Sequence, residues 1–366
     1  MKTELAESIL KAAVEWDVDQ FAKELQDIQV IAEYKYNDYQ QYTHGMRYIE
    51  SLALWLRKFS GAEKEIAYSI IKNRLIFISE EQMRQLISMS FAMCMKEYLI
   101  EQTKQYCADA NIRNVEDRKN IFDIMKRQAL FLGLSDGAHM DYFRRQNPHL
   151  SNEQVFVNYD FSKERADVMK EDLRKDLQIL CRDSLYDRAG DDDAFRAFFL
   201  IDDFSASGIS YIRQERDVWK GKIPTFYNLL NSMGFPQENI NVHIVLYVAT
   251  TGAIEHIKRQ TTCLLKGRQC KITVDAIQLV SNVKLSEEEE ALLRRNYEDN
   301  KDLYPSFVDS HFQKGCTDKP YLGFNECSLP LVIYHNTPNN SFPILWYSWG
   351  ETDHALFPRI TRHKEA

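Results

Sequence analysis

Between residues 129 and 280 the sequence changes period again and again, and this alternation limits the possible folds more than any other feature. The runs "QALFLGL", "EQVFVNY", "RAFFLI", "NVHIVLYVAT" and "KITVDAIQLV" are rich in β-branched and aromatic residues and show no strict in–out alternation. The stretches that follow them, "HMDYFRRQN", "SKERADVMKEDLRKDLQILCRDSL", "YNLLNSMG" and "IEHIKRQTTCLLKG", carry apolar residues at helical spacing. Strands that lose alternation are buried on both faces, and helices between them supply the crossovers of a parallel sheet. The expectation is an α/β domain, a parallel sheet flanked by helices. The later run "LPLVIYHN" reads as one more strand of that sheet.

The residues before this block read as helices. "AESILKAAVEWDVDQFAKEL" and "MRYIESLALWLRKF" have helical apolar spacing, and no proline precedes Pro148. Ser79 and Gln82 form a capping-box signature, as do Ser286 and Glu289. The long Met-rich helix that follows Ser79 is read as core or as a helical interface. The expected division is a helical region over 1–124, for docking or oligomerisation, and an α/β domain over 125–366. An inserted cap is expected around 281–328, and the acidic "GDDDAF" is read as a solvated turn.

A formal charge of −8 over 366 residues argues against a duplex-coating protein. No apolar run is long enough to span a bilayer, and the N-terminus is punctuated by acids, unlike a signal peptide. The seven cysteines are scattered without CxxC spacing, which suits reduced thiols. These features predict a cytoplasmic protein with no membrane partner.

The chemistry concentrates in "FFLIDDFSASGIS", residues 198 to 210. In an open parallel sheet, ligands collect beyond the carboxyl ends of the strands, and Asp202 and Asp203 stand at such an end. Two adjacent carboxylates are costly to bury without partners, so they suit hydroxyls or a cation. The residues that follow, Ser205, Ala206, Ser207, Gly208, Ile209 and Ser210, are mostly small. Their N–H groups can converge on an anion, with the next helix expected to add the positive end of its dipole. Acids for sugar hydroxyls beside a nest for phosphate describe a ribose 5-phosphate site. Rival signatures are missing: no two glycines stand two apart, as GxGxxG requires, and no GxxxxGK is present. A receiver domain would place an aspartate at a later strand end, where this chain has Thr250 and Thr251. A plain strand–turn–helix junction with a capping side chain needs no ligand and stands as the bland alternative.

This stretch resembles the phosphoribosyl pyrophosphate (PRPP) motif of type I phosphoribosyltransferases. Phe198 to Ile201 occupy its hydrophobic places, Asp202 and Asp203 its acids, and Ser207, Gly208 and Ser210 its hydroxyl-glycine-hydroxyl places. "LFLGLSDGAHMDYFRR", "FLIDDFSASGISYIR" and "CSLPLVIYHNTPNNSFPILW" together look like the phosphoribosyltransferase-like proteins of bacterial conflict and antiphage-defence systems, some of which accompany retron reverse transcriptases. The resemblance covers about residues 125 to 350 and implies a type I phosphoribosyltransferase-like sheet. It also implies that Asp202 and Asp203 bind the ribose hydroxyls, and that residues 205 to 210 hold the 5-phosphate. Ser135, Asp136, Gly137 and Ala138 would form the pyrophosphate loop. Mg²⁺ would be held mainly by substrate oxygens. The implied reaction is displacement of pyrophosphate by a nitrogen nucleophile. The motif departs mildly in carrying Ser at 207 and 210.

His139, Thr250, Thr251 and Asn336 are candidate rim residues, and each also has a capping or turn reading. Arg144 and Arg145 read equally well as a solvated helix face. Two functions follow: an effector enzyme acting on PRPP or a phosphorylated ribonucleotide, or a silent sensor of such a ligand. The N-terminal helices are expected to meet a protein or RNA partner, such as a reverse transcriptase, or a second copy of the chain.

Overall fold

The structure is a computed structural model and describes residues 3–157, 162–182, 184–185, 194–236, 240–266, 270–300, 318–348 and 353–360. Most of "GDDDAF" and much of the expected cap, with Cys316, lie outside the described residues. The chain forms two compact units, Arg84–Val280 and Met1–Met83 with Ser281–Ala366. This partition differs from a boundary at residue 124. Among the described residues, no helix is long and apolar enough to cross a membrane.

The unit Arg84–Val280 contains the expected sheet. Its strands are β1 (Ala129–Gly133), β2 (Val155–Val157), β3 (Ala197–Ser205), β4 (Ile240–Thr250) and β5 (Cys270–Val280). All neighbours are parallel, in the order β2-β1-β3-β4-β5. Burial explains the lost alternation, because every residue of β1 and all but one of β4 are buried. Helices Lys163–Leu180, Lys222–Ser232 and Thr251–Leu264 supply Leu173, Phe226 and Ile257 to a core shared with Leu132, Phe198 and Ile244. The Met-rich helix is interrupted by a π-helical segment, Phe91–Lys96; Met95 is buried in it and Met93 is exposed.

The other unit is helical at its start, with Thr3–Ala13, Val18–Tyr34, Tyr48–Leu56 and Ala62–Arg74. It also holds a strand absent from the sequence reading, Ile76–Ile78, which pairs in parallel with Leu331–Ile333. The run "LPLVIYHN" therefore belongs to a two-stranded sheet and not to the five-stranded one. Polar anchors explain its place: the Tyr39 hydroxyl lies 2.8 Å from Thr337 Oγ1, and Trp55 Nε1 donates to the Ile344 carbonyl at 2.8 Å. Phe357 packs among Tyr36, Tyr39 and Tyr48. Both capping boxes form, Ser79 with Gln82 and Ser286 with Glu289.

Candidate functional site

An order β2-β1-β3-β4-β5 reverses direction between β1 and β3, and at that switch point the two loops leaving the sheet diverge and open a crevice. Both sequence-predicted loops leave from these strands. Ser135 follows β1, residues 136 to 138 make one turn of 3₁₀ helix, and His139 takes a left-handed backbone with φ 47° before helix Met140–Gln146. Arg144 and Arg145 are exposed on that helix. On the neighbouring strand, β3 stays extended through Ser205, so Asp202 and Asp203 point to opposite faces.

The two acids accordingly have different surroundings. Asp202 is 0% exposed. Its Oδ1 accepts from Ser135 Oγ, and its Oδ2 accepts from the Tyr211 hydroxyl and the Lys222 ammonium. Burial pushes the Asp202 carboxyl above its ordinary range, the Lys222 charge pulls it down, and the neighbouring Asp203 charge pushes it up again. Burial, and then the charge of Asp202, hold the Tyr211 phenol well above its usual range. Asp203 is only part-buried, and its Oδ1 accepts from the Phe204 N–H at 2.9 Å. Its carboxyl lies against Gly137: a Cβ on that glycine would stand 2.6 Å from Asp203 Cγ. The structure thus brings the 135–138 loop and the acid pair together. Ala138 is fixed there from below, its carbonyl accepting from the buried Tyr247 hydroxyl at 2.9 Å, while Asp136 points outward and is exposed.

The loop after β3 is bare where the sequence said it would be. Gly208 has φ +74°, and a Cβ there would lie 2.8 Å from the Ala253 carbonyl oxygen. Among the described residues, the Ser207 and Gly208 N–H groups make no backbone hydrogen bond, and the buried Ser205 hydroxyl has no hydrogen-bond partner. Ser207 Oγ accepts from the Ile209 N–H at 3.4 Å; Ala206 is buried and Ser210 is exposed. Thr250 caps helix Thr251–Leu264, accepting from the Ala253 N–H at 3.0 Å, and donates to the Ala206 carbonyl at 2.6 Å. It therefore supports the loop from behind, while Thr251 is exposed.

Two expectations fail. The loop does not run straight into a helix: a hairpin, Arg213–Glu215 with Val218–Lys220, intervenes, and the helix begins at Lys222. Arg216 and Asp217 both have positive φ, the backbone of a tight hairpin turn, so no dipole from that helix follows the bare loop directly. Asn336 does not belong to a strand end of the five-stranded sheet. It sits in the unit with the chain termini, where its Oδ1 accepts from the Thr337 and Ile360 N–H groups at 3.0 and 3.2 Å. Tyr211 and Lys222 were missed by the sequence reading; the loop after β3 carries Tyr211 to Asp202, the hairpin returns Lys222 to it, and a single Lys or Tyr carries no spacing signal.

A family model described as PRTase-CE matches residues 52–359. No curated protein matches the chain, and neither does any solved structure.

Proposed function

Since the chain belongs to the PRTase-CE family of phosphoribosyltransferase-like proteins, we propose that the crevice between β1 and β3 binds a ribose 5-phosphate group, as PRPP or as a phosphorylated ribonucleotide. One observation carries this reading. The Asp203 carboxyl, the backbone at Gly137 and the loop of residues 205 to 210 meet at the switch point of the sheet. Asp203 would accept hydrogen bonds from ribose hydroxyls. The N–H groups of Ser207 and Gly208 and the Ser205 hydroxyl would donate to the 5-phosphate, where charge-assisted hydrogen bonds are strong. Ser135 through Ala138 would face the pyrophosphate, with Gly137 admitting close approach.

The donor set also fits Mg²⁺ bound mainly through ligand oxygens. Asp203 is the part-buried carboxylate of the pocket and the side chain that would face an ion held there. When bound, the ion would neutralise pyrophosphate charge as it departs. The chain's own part is to hold ribose and phosphate so that a nitrogen nucleophile meets C1 in line. In that displacement the C1–oxygen bond to pyrophosphate breaks, a C1–nitrogen bond forms, and pyrophosphate leaves with the bonding pair.

The family resemblance supports the wider setting we propose: a cytoplasmic effector of bacterial antiphage defence, of the kind that accompanies a retron reverse transcriptase. The N-terminal helices are the proposed docking element for a protein or RNA partner or a second copy. Calorimetric titration of PRPP with Mg²⁺ tests the pocket. Wild type should bind saturably, and Asp203→Asn should bind at least about tenfold more weakly with an unchanged circular dichroism spectrum. Equal heats from the two proteins would sink the assignment. Pyrophosphate release with candidate nitrogen acceptors would then separate an enzyme from a silent sensor.

A further inference from the structure

The helical start of the chain surrounds a cavity that the ribose 5-phosphate reading does not use. It lies within the unit Met1–Met83 with Ser281–Ala366, among the helices Val18–Tyr34, Tyr48–Leu56 and Ala62–Arg74, and has a volume of about 300 Å³. We propose that it is a separate ligand site, for a compact neutral molecule that is mostly apolar and carries a carbonyl or similar acceptor oxygen.

The walls set the apolar part of that description. Ile28, Ile31 and Ile71 line the cavity together with Tyr36, Tyr48 and Tyr68. Ile28 and Ile31 stand three apart on one helix and so share a face. Val30 and Ile31 line it as well and remain exposed, which leaves an apolar entrance. The volume is at the small end of ligand pockets, which run from roughly 300 to 1,000 Å³ and combine apolar walls with a few polar groups.

The tyrosines supply those polar groups. Tyr68 donates to Glu24 Oε2 at 2.6 Å. Tyr36 and Tyr48 are only 7% and 2% exposed, yet among the described residues neither hydroxyl makes a hydrogen bond. Buried tyrosine hydroxyls normally find a partner, and leaving one without costs stability. Neither can turn to seek one elsewhere, because packing fixes both rings. Tyr36 lies against Phe77 and Phe357 at 5.0 and 5.7 Å, Tyr48 stacks on Phe357 at 5.8 Å, and the two tyrosines meet edge to face at 4.6 Å. Burial pushes the Tyr36 phenol up to about 12; burial, and then the nearness of Tyr36 and Tyr68, hold the Tyr48 phenol well above its ordinary range. Both therefore keep their protons and can donate them. A carbonyl oxygen, with two lone pairs, can accept from one or both.

The charges at the cavity argue for a neutral ligand. Asp27 and Lys72 both line it, and Lys72 Nζ lies 3.6 Å from Asp27 Oδ2 and 2.6 Å from Glu24 Oε2. Each lining charge already has its counter-charge, so an ionic ligand would have to break a pair to gain one.

Acetophenone and ethylbenzene test the site, since they share a shape and differ by a carbonyl in place of a CH₂. Both are titrated into the full chain by ligand-observed saturation-transfer NMR, and thermal melting without ligand checks each variant. Wild type should bind both. Tyr36→Phe/Tyr48→Phe removes only two oxygens: it should weaken acetophenone about tenfold, hold ethylbenzene within about threefold, and melt no lower than wild type. Either single Tyr→Phe change should move the ratio in the same direction, and keeps the test open if the double variant fails to fold. Ile31→Trp, which fills the cavity from its exposed side, should lose both probes by about tenfold or more. An unchanged ratio in the folded Tyr→Phe variants would reduce the phenols to packing and overturn the assignment. So would a lower melting temperature in those variants, which would give the hydroxyls a structural partner. Probes that bind Ile31→Trp as well as wild type sit elsewhere, and wild type that binds neither has no such site.

Discussion

Asp202 and His243 are both buried ionisable groups on adjacent strands of one sheet, and the sheet treats them in opposite ways. Asp202, towards the carboxyl end of β3, has both oxygens hydrogen-bonded and a cation beside it. His243 lies nearer the amino end of β4, in register with Phe199, between the rings of Tyr98 and Phe199 at 4.8 and 5.6 Å. Its Nδ1 meets Thr273 Oγ1, but its Nε2 makes no hydrogen bond and lies 3.4 Å from Asp275 Oδ2. At one end the chain surrounds a buried carboxyl with hydrogen-bond donors and a cation. At the other it packs an imidazole as a ring and keeps it neutral. Burial alone does not decide how an ionisable group is treated; its partners do.

The largest stability effect should come from the amino end. Burial holds the His243 imidazole down to about 4 against an ordinary 6.5, with the Asp275 charge pulling the other way. Tyr98 and the Cys94 thiol also face this region, and both are pushed up by burial and stay neutral. Above 6.5 neither the folded nor the unfolded chain protonates this histidine. As the pH falls from 6.5 towards 4, the unfolded chain takes up the proton first, so stability is lost across that window. The loss is on the order of 3 kcal/mol. Urea melts of wild type and His243→Phe should show the variant losing correspondingly less between those two pH values. Parallel curves would mean that His243 is as well satisfied as Asp202, and the contrast would collapse.

A smaller loss is expected from Gly208→Ala at the carboxyl end. The left-handed φ of +74° strains any residue with a Cβ, and the new methyl would press on the Ala253 carbonyl oxygen at 2.8 Å, which belongs to a helix and cannot swing aside. Destabilisation of about 2 kcal/mol should appear in thermal or urea unfolding. A neutral result would mean that the loop relaxes freely, unlike the rigid cradle that the partnering of Asp202 implies.

The two ends also differ in how legible they were. The inner strands β1, β3 and β4 showed in the sequence because burial on both faces makes continuous apolar runs, whereas the edge strand β5, buried only at Val274 and Val280, showed through its β-branched residues. Gly137, Asp203 and the small residues 205 to 208 stood out because their types are unusual at a strand end. Lys222 was illegible, since only the fold of the hairpin, through the positive φ of Arg216 and Asp217, returns it to Asp202, and Tyr211, ahead of the hairpin, has no spacing that singles it out. The strand Ile76–Ile78 is three residues long, too short for periodicity, and its partner lies at 331–333. The division of the chain into units followed that pairing and not any local change of composition.

Gly137→Ala should have the smallest stability effect and still separate structure from function at the carboxyl end. Gly137 has no left-handed backbone to defend, unlike Gly208. The nearest atoms to a Cβ there belong to the Asp203 carboxyl, the end of a side chain and not backbone. The cost to folding should therefore stay below about 1 kcal/mol. Yielding to the methyl, however, takes Asp203 from the place where the pocket needs it, so affinity for ribose 5-phosphate should fall about tenfold. Melting and titration of the same variant read the two quantities separately. A large fall in stability with affinity intact would reverse the assignment of that glycine, making it a packing residue and leaving the contact with Asp203 incidental.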